Sequence, residues 1–472
     1  MHLVNLVRKS VSKRNSSAVI LALVGGAVVI GLYNSAFFPE PVTVVEEVTR
    51  IKEMVLDTMT VEKETAIAFN RDQILNDYQN KVAEDFKIPE GLRDRVGFWF
   101  DIYTKYDSNN RVIHHTEYPW IVFKVIDVSS IINSDTPKWR WMRNQKADDL
   151  VKAEARKIRK ALASLAKKKD GAVLTEDEQL VASALESLPG KMKKKAANAA
   201  GEVRVQVGQK NFFQEGLEVS PLYLSGMEEI FKSHNVPVEL TRIPFVESSF
   251  NKHAVSKVGA SGIWQFMGNT GKSFMVVDSH IDERHSPFKA TDAAARLLKE
   301  NHMILYRSWP LAVTAWNHGP PGMKKAVKSV GSKDLSKIVG KYRTKNFDFA
   351  SPNFYCEFLA ALHAERYQQD IFQGLNFEKS LEAHSVKLAR TISAKELLRA
   401  SGLSSDDFVM YNPDLKNALV SNASIPSGFK LMVNDSAKAV LKNLLSQERK
   451  SSKSKLGRNE VSSNNADTSP RL

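Results

Sequence analysis

Glu247 is the residue of this chain whose type and setting best suit acid–base chemistry. It lies in the stretch 236–267, where Leu240, Ile243, Val246 and Phe250 recur at helical spacing and Pro237 follows Asn235, a good N-cap. Four residues after Ile243 and three before Phe250, Glu247 shares their apolar face. A carboxylate there is costly unless it is paired or keeps its proton. Polar Ser248, Ser249 and Asn251 then end the helix, and the turn Gly259-Ala260-Ser261-Gly262 brings the chain back before Ile263–Met267. The plainer alternative is a core helix whose Glu247 makes an ion pair with Arg242 or a lysine, because structural ion pairs perturb carboxylates too.

The motifs downstream favour the chemical reading. Glu247-Ser248-Ser249-Phe250 is followed by Gly259-Ala260-Ser261-Gly262-Ile263-Trp264-Gln265-Phe266-Met267, then by Ala315-Trp316-Asn317-His318-Gly319, then by Asn353-Phe354-Tyr355 before an alanine-rich helix. This ordered series resembles the lytic transglycosylases of bacterial cell-wall metabolism, in the membrane-bound type D branch related to goose-type lysozyme. The resemblance covers roughly Phe212 to Arg366.

The resemblance implies a mainly α, lysozyme-like catalytic domain that acts on the glycan strands of peptidoglycan without metal or cofactor. Glu247 would protonate the β-1,4 glycosidic oxygen leaving N-acetylmuramic acid. As a base it would then take the proton of the sugar's own 6-hydroxyl, closing a 1,6-anhydro ring without water. By position, Ser256 and Ser261 fall on the turn facing the cleft, Ser256 being the better candidate for a substrate hydrogen bond. Gly259 and Gly262 would allow close backbone approach. Gln265 and Met267 match residues that line the sugar subsites, and Asn317 matches an asparagine that bonds substrate or orients the acid. Gly319 turns the chain beside it, and Trp264 reads as core. Two positions depart from the family pattern. Trp316 stands where tyrosine is usual, and an indole N–H donates but cannot accept. Tyr355 comes one step after the usual tyrosine position, where Phe354 stands, and a helix turns about 100° per residue.

Glycosidases usually set two carboxylates around the scissile bond. Asp278, Asp282, Glu283 and Asp292 are near in sequence, but nothing in the spacing fixes any of them opposite Glu247. A hydrolytic muramidase on the same fold is therefore the enzymatic alternative, and a non-catalytic wall-binding scaffold is the other. The histidines (His253, His280, His285, His302, His318) show no metal-binding spacing, and Cys356, inside an apolar helix, reads as a packed thiol.

The elements that must position this chemistry are mostly helical. Gln214–Phe231, a helix capped by Thr291, one starting at Pro310 and broken after Trp316, and Phe354–Arg366 read as helices around the acid, and no strand-like run occurs between Gly216 and Tyr367. Residues 212–372 thus form the catalytic unit. Before it, 96–211 reads as an α+β region. Its aromatic runs Phe98–Tyr106 and Pro119–Val128, split by the polar turn Asp107–Asn110, give a hairpin signal. Its basic part, Lys138–Ala200, reads as helix with a solvated face, and charge without interleaved aromatics argues against nucleic acid. Residues 378–435 suggest two short helices (Ile392–Gly402, Leu403–Asn412) and a closing strand within Ile425–Val433. That order resembles a LysM carbohydrate-binding module lacking its usual opening, a plain helical cap being the alternative.

A chain of 472 residues is too long for one core. Its net charge of +14 suits polyanionic surroundings, and a single cysteine excludes an intrachain disulfide. The basic segment 1–16 precedes an apolar run within 17–37 that is near the lower limit for a bilayer span, with acidic residues after it. It reads as an uncleaved N-inside anchor holding the protein at the periplasmic face, a cleaved signal peptide being the alternative. Export follows either way. Residues 38–95 read as a stalk, and 446–472, rich in serine, lysine and asparagine, as a disordered tail.

Overall fold

The computed structural model describes residues 69–441. The basic segment, the anchor, the first part of the stalk and the tail (446–472) lie outside the described residues. Among those described, no helix is long and apolar enough to cross a membrane.

The fold is mainly α, and its centre is the alanine-rich helix Ala350–Arg366, buried almost throughout. Small side chains at Ala360, Ala361 and Ala364 let other helices approach closely, and Arg93–Thr104, Trp309–His318 and Ile243–Ser248 pack on it. The first of these corrects the sequence reading. Phe98–Tyr106 is not the first arm of a hairpin: Val96, Phe98, Trp99, Phe100, Ile102 and Tyr103 are all buried on a helix. A helix buried all round shows no period, so aromatic content suggested strand where packing imposes helix. The hairpin comes later, from β1 (Asn110–His115) and β2 (Val122–Asp127), and β3 (Val203–Val207), which the sequence did not disclose, pairs antiparallel with the other edge of β1.

The basic helix Arg140–Lys167 buries one stripe, Ala147, Val151, Ala155, Ile158, Leu162 and Leu165, in a second core shared with this sheet. Its lysines and arginines occupy the solvated face.

Residues 69–95 are likewise not a free stalk. Ile74 and Leu75 are buried, Tyr367 Oη donates to Asp77 Oδ1 at 2.6 Å, and Tyr78 stacks on the Tyr367 ring at 5.2 Å. The segment straps onto the end of the central helix.

Three helix boundaries in the catalytic unit also differ. The helix expected over Gln214–Phe231 is two, Lys210–Val219 and Pro221–Ser233, with Pro221 starting the second. Asn235, with φ 54°, caps nothing; a 3₁₀ turn (Val238–Arg242) leads into the short helix Ile243–Ser248. Thr291 is not a cap either. Helix Pro287–Ile304 begins at Ser286, and the Thr291 hydroxyl lies inside it, donating to Pro287 O and accepting from Trp264 Nε1.

The C-terminal unit runs strand β4 (His384–Lys387), helices Ala394–Ser401 and Ser405–Tyr411, and strand β7 (Lys430–Val433), with β4 and β7 antiparallel. Between them, β5 (Ile392–Ser393) and β6 (Ser424–Ile425) form a second, two-residue pair. This unit is pinned to the catalytic helices by Lys289, whose Nζ bonds Asp414 Oδ2 at 2.6 Å and lies 3.4 Å from the centre of the Phe429 ring. A groove of about 1010 Å³ runs between the two units, lined by Phe288, Lys289, Lys387 and Phe429 among others, and Glu247 is not in its wall.

Candidate active site

Glu247 sits in the last turn of Ile243–Ser248, a helix of six residues that Ser249 ends in the left-handed conformation (φ 49°). Ser248 explains how the acid meets the glycine turn: its hydroxyl donates to Ile263 O at 2.9 Å, tying the helix end to the returning strand. Within the turn, Ser261 N bonds Phe266 O and Gly262 N bonds Ala254 O. Gly262 has φ 76°, and a Cβ there would meet Arg284 O at 1.9 Å, so only glycine fits. Arg284 closes the clamp, donating to Gly259 O at 2.8 Å and Phe266 O at 3.1 Å while Asp282 holds its other nitrogens. Nothing in the sequence marked Arg284 for this role.

The ion-pair alternative for the acid is not what the structure contains. Arg242 is buried and engaged by Glu365 and Glu228. Glu247 makes no ion pair among the described residues, and its one hydrogen bond comes from Trp316 Nε1 to Oε1 at 2.8 Å. Burial raises its pKa to about 7, and the indole bond pulls the other way. The departure at Trp316 thus places a fixed donor on the acid. That indole is held by edge contacts with Phe266 at 5.1 Å and a tilted contact with Trp264 at 5.6 Å.

The remaining expected residues separate into three groups. Gln265, with φ 48°, spends its amide N–H groups on Ala254 O and Gly262 O, and Met267 is exposed beside it. Asn317 is exposed next to Trp316, its Oδ1 accepting from the Ser351 hydroxyl at 2.9 Å. It opens on a basin of about 880 Å³ lined also by His318, Lys325, Tyr342 and Asn346. Ser256 and Ser261 act within the turn: Ser256 Oγ accepts from Ala260 N at 2.9 Å, and Ser261 is buried, with its hydroxyl 3.3 Å from His285 Nε2.

Tyr355 is a correction. It is 1% exposed, its hydroxyl has no partner, and burial pushes its pKa up. The one-residue offset turns it into the core. Asn353, also expected at this motif, is buried and accepts from Trp99 Nε1 at 3.0 Å and Arg95 Nη1 at 2.9 Å, a structural joint with the preceding domain. Cys356 is buried and its thiol is raised to about 12 by desolvation, so it is not a nucleophile. Among the described residues no group of three or more potential ligands could hold a metal ion.

Two groups that the sequence reading missed share the acid's surroundings. Glu357, on the central helix, is only partly exposed, and its carboxyl makes no hydrogen bond or ion pair among the described residues. Desolvation raises its pKa to about 8, with the Glu247 charge adding to the rise. Tyr103 feels both carboxylates, and burial raises its pKa well above the usual phenol value. Glu357 lies one helical turn beyond Asn353, a spacing that would have suggested it only once the helix phase was known.

Residues 228–339 match the family model described as transglycosylase SLT domain. Over that stretch the chain is similar to SLT domains. Two relatives are similar to it: the membrane-bound lytic murein transglycosylase D of Escherichia coli strain K12 and the protein of that name from Escherichia coli O6:H1. Each is 33% identical over 121 residues, which is 25% of this chain and 25% of the relative. The chain therefore spans about a quarter of the length of these relatives, and the family-model match, 228–339, contains the acid and its clamp.

Proposed function

We propose that this protein is a murein lytic transglycosylase, with Glu247 acting first as acid and then as base. The observation that carries the reading is a half-buried carboxyl, without an ion pair among the described residues, raised to about 7 and held by one indole donor beside a glycine turn. Such a group still holds its proton near neutral pH and can pass it to a glycosidic oxygen. As the bond breaks, positive charge develops on the muramic acid ring, carried by the ring itself or by its N-acetyl group. The new carboxylate accepts the Trp316 N–H bond and then takes the proton of the 6-hydroxyl, whose oxygen closes onto the anomeric carbon. One sugar bond is exchanged for another, water is not consumed, and Glu247 ends protonated.

Met267 and Asn317, both exposed, are the surfaces that a glycan strand would meet. Ser261, Gly262 and Gln265 shape the turn, while Ser256 Oγ accepts from Ala260 N and keeps its own O–H to offer a sugar. The β4–helix–helix–β7 order supports a LysM-like, glycan-binding reading of 378–435. Export and tethering through 17–37 complete the proposal, since the substrate lies outside the cytoplasm.

Hydrolysis on the same fold is the second reading, and Glu357 favours it, because a second carboxyl can activate water. Mass analysis of muropeptides released from purified sacculi separates the two. The proposal expects 1,6-anhydro ends from the wild type and no release by Glu247→Gln; reducing ends would mean hydrolysis, and equal digestion by the variant would sink the role of Glu247.

A further inference from the structure

Two tryptophans of this chain stand in water. Trp139 and Trp141 are 62% and 67% exposed and Met142 beside them 38%, whereas the other five tryptophans are buried or half-buried. Neither exposed indole has a hydrogen-bond partner or a stacking neighbour among the described residues. An indole gains much from leaving water and keeps an N–H for a wet rim, so such a pair marks a surface that something covers. Both lie at the start of the basic helix Arg140–Lys167, whose first buried residue is Ala147. Arg140–Lys146 therefore stands clear of the second core over its first two turns, about 10 Å. This start is firmly built: Arg143 Nε donates to Ile132 O at 2.9 Å, and Nη1 to Pro137 O and Lys138 O at 3.2 and 3.1 Å. Within 138–146 there are basic residues and no acid, and Lys138, Arg140 and Lys146 are exposed without an ion pair among the described residues. The flanking acids are Asp135, Asp148 and Asp149, and Asp149 is engaged by Gln145 and Lys152. Neither groove described above includes this patch.

We propose that Trp139, Trp141 and Met142, ringed by Lys138, Arg140 and Lys146, form a docking surface for an anionic lipid bilayer. The composition fits the boundary between headgroups and acyl chains. Indoles settle there with the ring in the apolar layer and the N–H among the headgroups, and a methionine follows them. The cations meet lipid phosphates, and their long stems let the charge stay at the surface while apolar atoms sink. A projecting helix start can enter such a boundary, whereas a stacked sugar or base needs a groove with uncharged partners. Docking here would bear on the catalytic unit, because the same region is joined to the central helix. Arg204 of β3 lies 4.0 Å from the centre of the Phe349 ring, and Trp99 and Arg95 donate to Asn353. The inference stands apart from the acid role of Glu247 and goes beyond it.

The test is indole fluorescence of the full chain, brought from detergent into vesicles whose acyl chains carry bromine, a short-range quencher. None of the seven tryptophans precedes residue 99, so the N-terminal segment adds no signal of its own. In vesicles of phosphatidylcholine mixed with phosphatidylglycerol, wild-type emission should fall, relative to unbrominated vesicles, by up to the share of two among seven tryptophans. In phosphatidylcholine alone, or at high salt, the loss should be much smaller. Trp139→Ser with Trp141→Ser should abolish it, and Lys138→Gln, Arg140→Gln and Lys146→Gln together should shrink it as far as omitting phosphatidylglycerol does. No loss in the wild type, or an equal loss in the double tryptophan variant, overturns the proposal. So does protection of the two indoles from N-bromosuccinimide by soluble glycan strands and not by vesicles, which would assign the patch to the wall polymer. Turnover of soluble glycan fragments should be the same in all these variants. An inactive Glu247→Gln with unquenched wild-type indoles rejects this inference alone, while an active Glu247→Gln with quenched indoles rejects only the functional reading.

Discussion

Trp316 Nε1 donates to Oε1 of Glu247 at 2.8 Å, the one hydrogen bond the acid receives from the described residues. An indole cannot accept, so it favours the ionised carboxyl and holds the pKa below what burial alone would give. Trp316→Phe keeps the packing against Phe266 and Trp264 and removes the donor. The carboxylate formed as the proton leaves is then less stable, and turnover falls about ten- to hundred-fold, the worth of one hydrogen bond to a charged group. The alkaline limb moves up at the same time. Trp316→Tyr, which supplies a phenol donor, recovers part of the loss. Turnover against pH for the three proteins checks all of this.

Both raised carboxyls make stability depend on pH, with a definite sign. Between the unfolded value near 4.5 and the folded values near 7 and 8, the folded protein binds more protons than the unfolded chain. Stability therefore falls as pH rises through this window, by an amount on the order of 3 kcal/mol for Glu247. Glu247→Gln removes that penalty, and its amide oxygen still accepts from Trp316. Thermal melting at pH 5 and pH 8.5 should show the variant equal to wild type at the lower pH and a few degrees more stable at the higher one.

The acid and its turn were legible in the sequence because they are local. Glu247, Ser248 and the glycine turn lie within 21 residues, and Gly262 is dictated by its own φ and by one backbone oxygen. What the sequence hid depends on pairings between distant segments. Phe98–Tyr103 could not announce a helix, because every face of it is covered by something far away, above all the central helix. Tyr355 and Glu357 differ only in phase on that helix. Without its rotation, the spacing leaves open whether the motif tyrosine faces the cleft, and the glutamate two residues on draws no notice. Trp316 was visible as a departure, but its consequence needed the distance to the acid.

The glycine turn yields a paired prediction. Gly262 and Gly259 both have positive φ, 76° and 85°, but an added Cβ at Gly262 meets Arg284 O at 1.9 Å while at Gly259 nothing lies within 4 Å. Gly259→Ala should cost only the left-handed backbone term, about 1–2 kcal/mol. Gly262→Ala should cost more than about 3 kcal/mol, because backbone must move, and should release the Arg284 clamp on Phe266 O. Urea denaturation of the two variants ranks them. Turnover below the melting range should fall for Gly262→Ala and stay near wild type for Gly259→Ala.

Arg242 provides the last test, because it separates stability from chemistry within one short segment. Its side chain is 2% exposed, donating to Glu365 at 3.0 and 3.3 Å and to Glu228, and it ends the 3₁₀ turn that leads into the acid helix. Arg242→Met strands Glu365, whose side chain is 9% exposed, and should cost about 3–5 kcal/mol, as expected when one partner of a buried pair is removed. Arg242→Met combined with Glu365→Leu removes both charges of the innermost pair and should recover much of that loss. Because Arg242 makes no contact with Glu247, the alkaline limb of turnover should stay where it is in every one of these variants, measured at a temperature where they remain folded. A limb that moves with Arg242→Met would mean that this arginine sets the charge of the acid after all, and the hydrogen bond from Trp316 would lose its standing as the acid's principal partner.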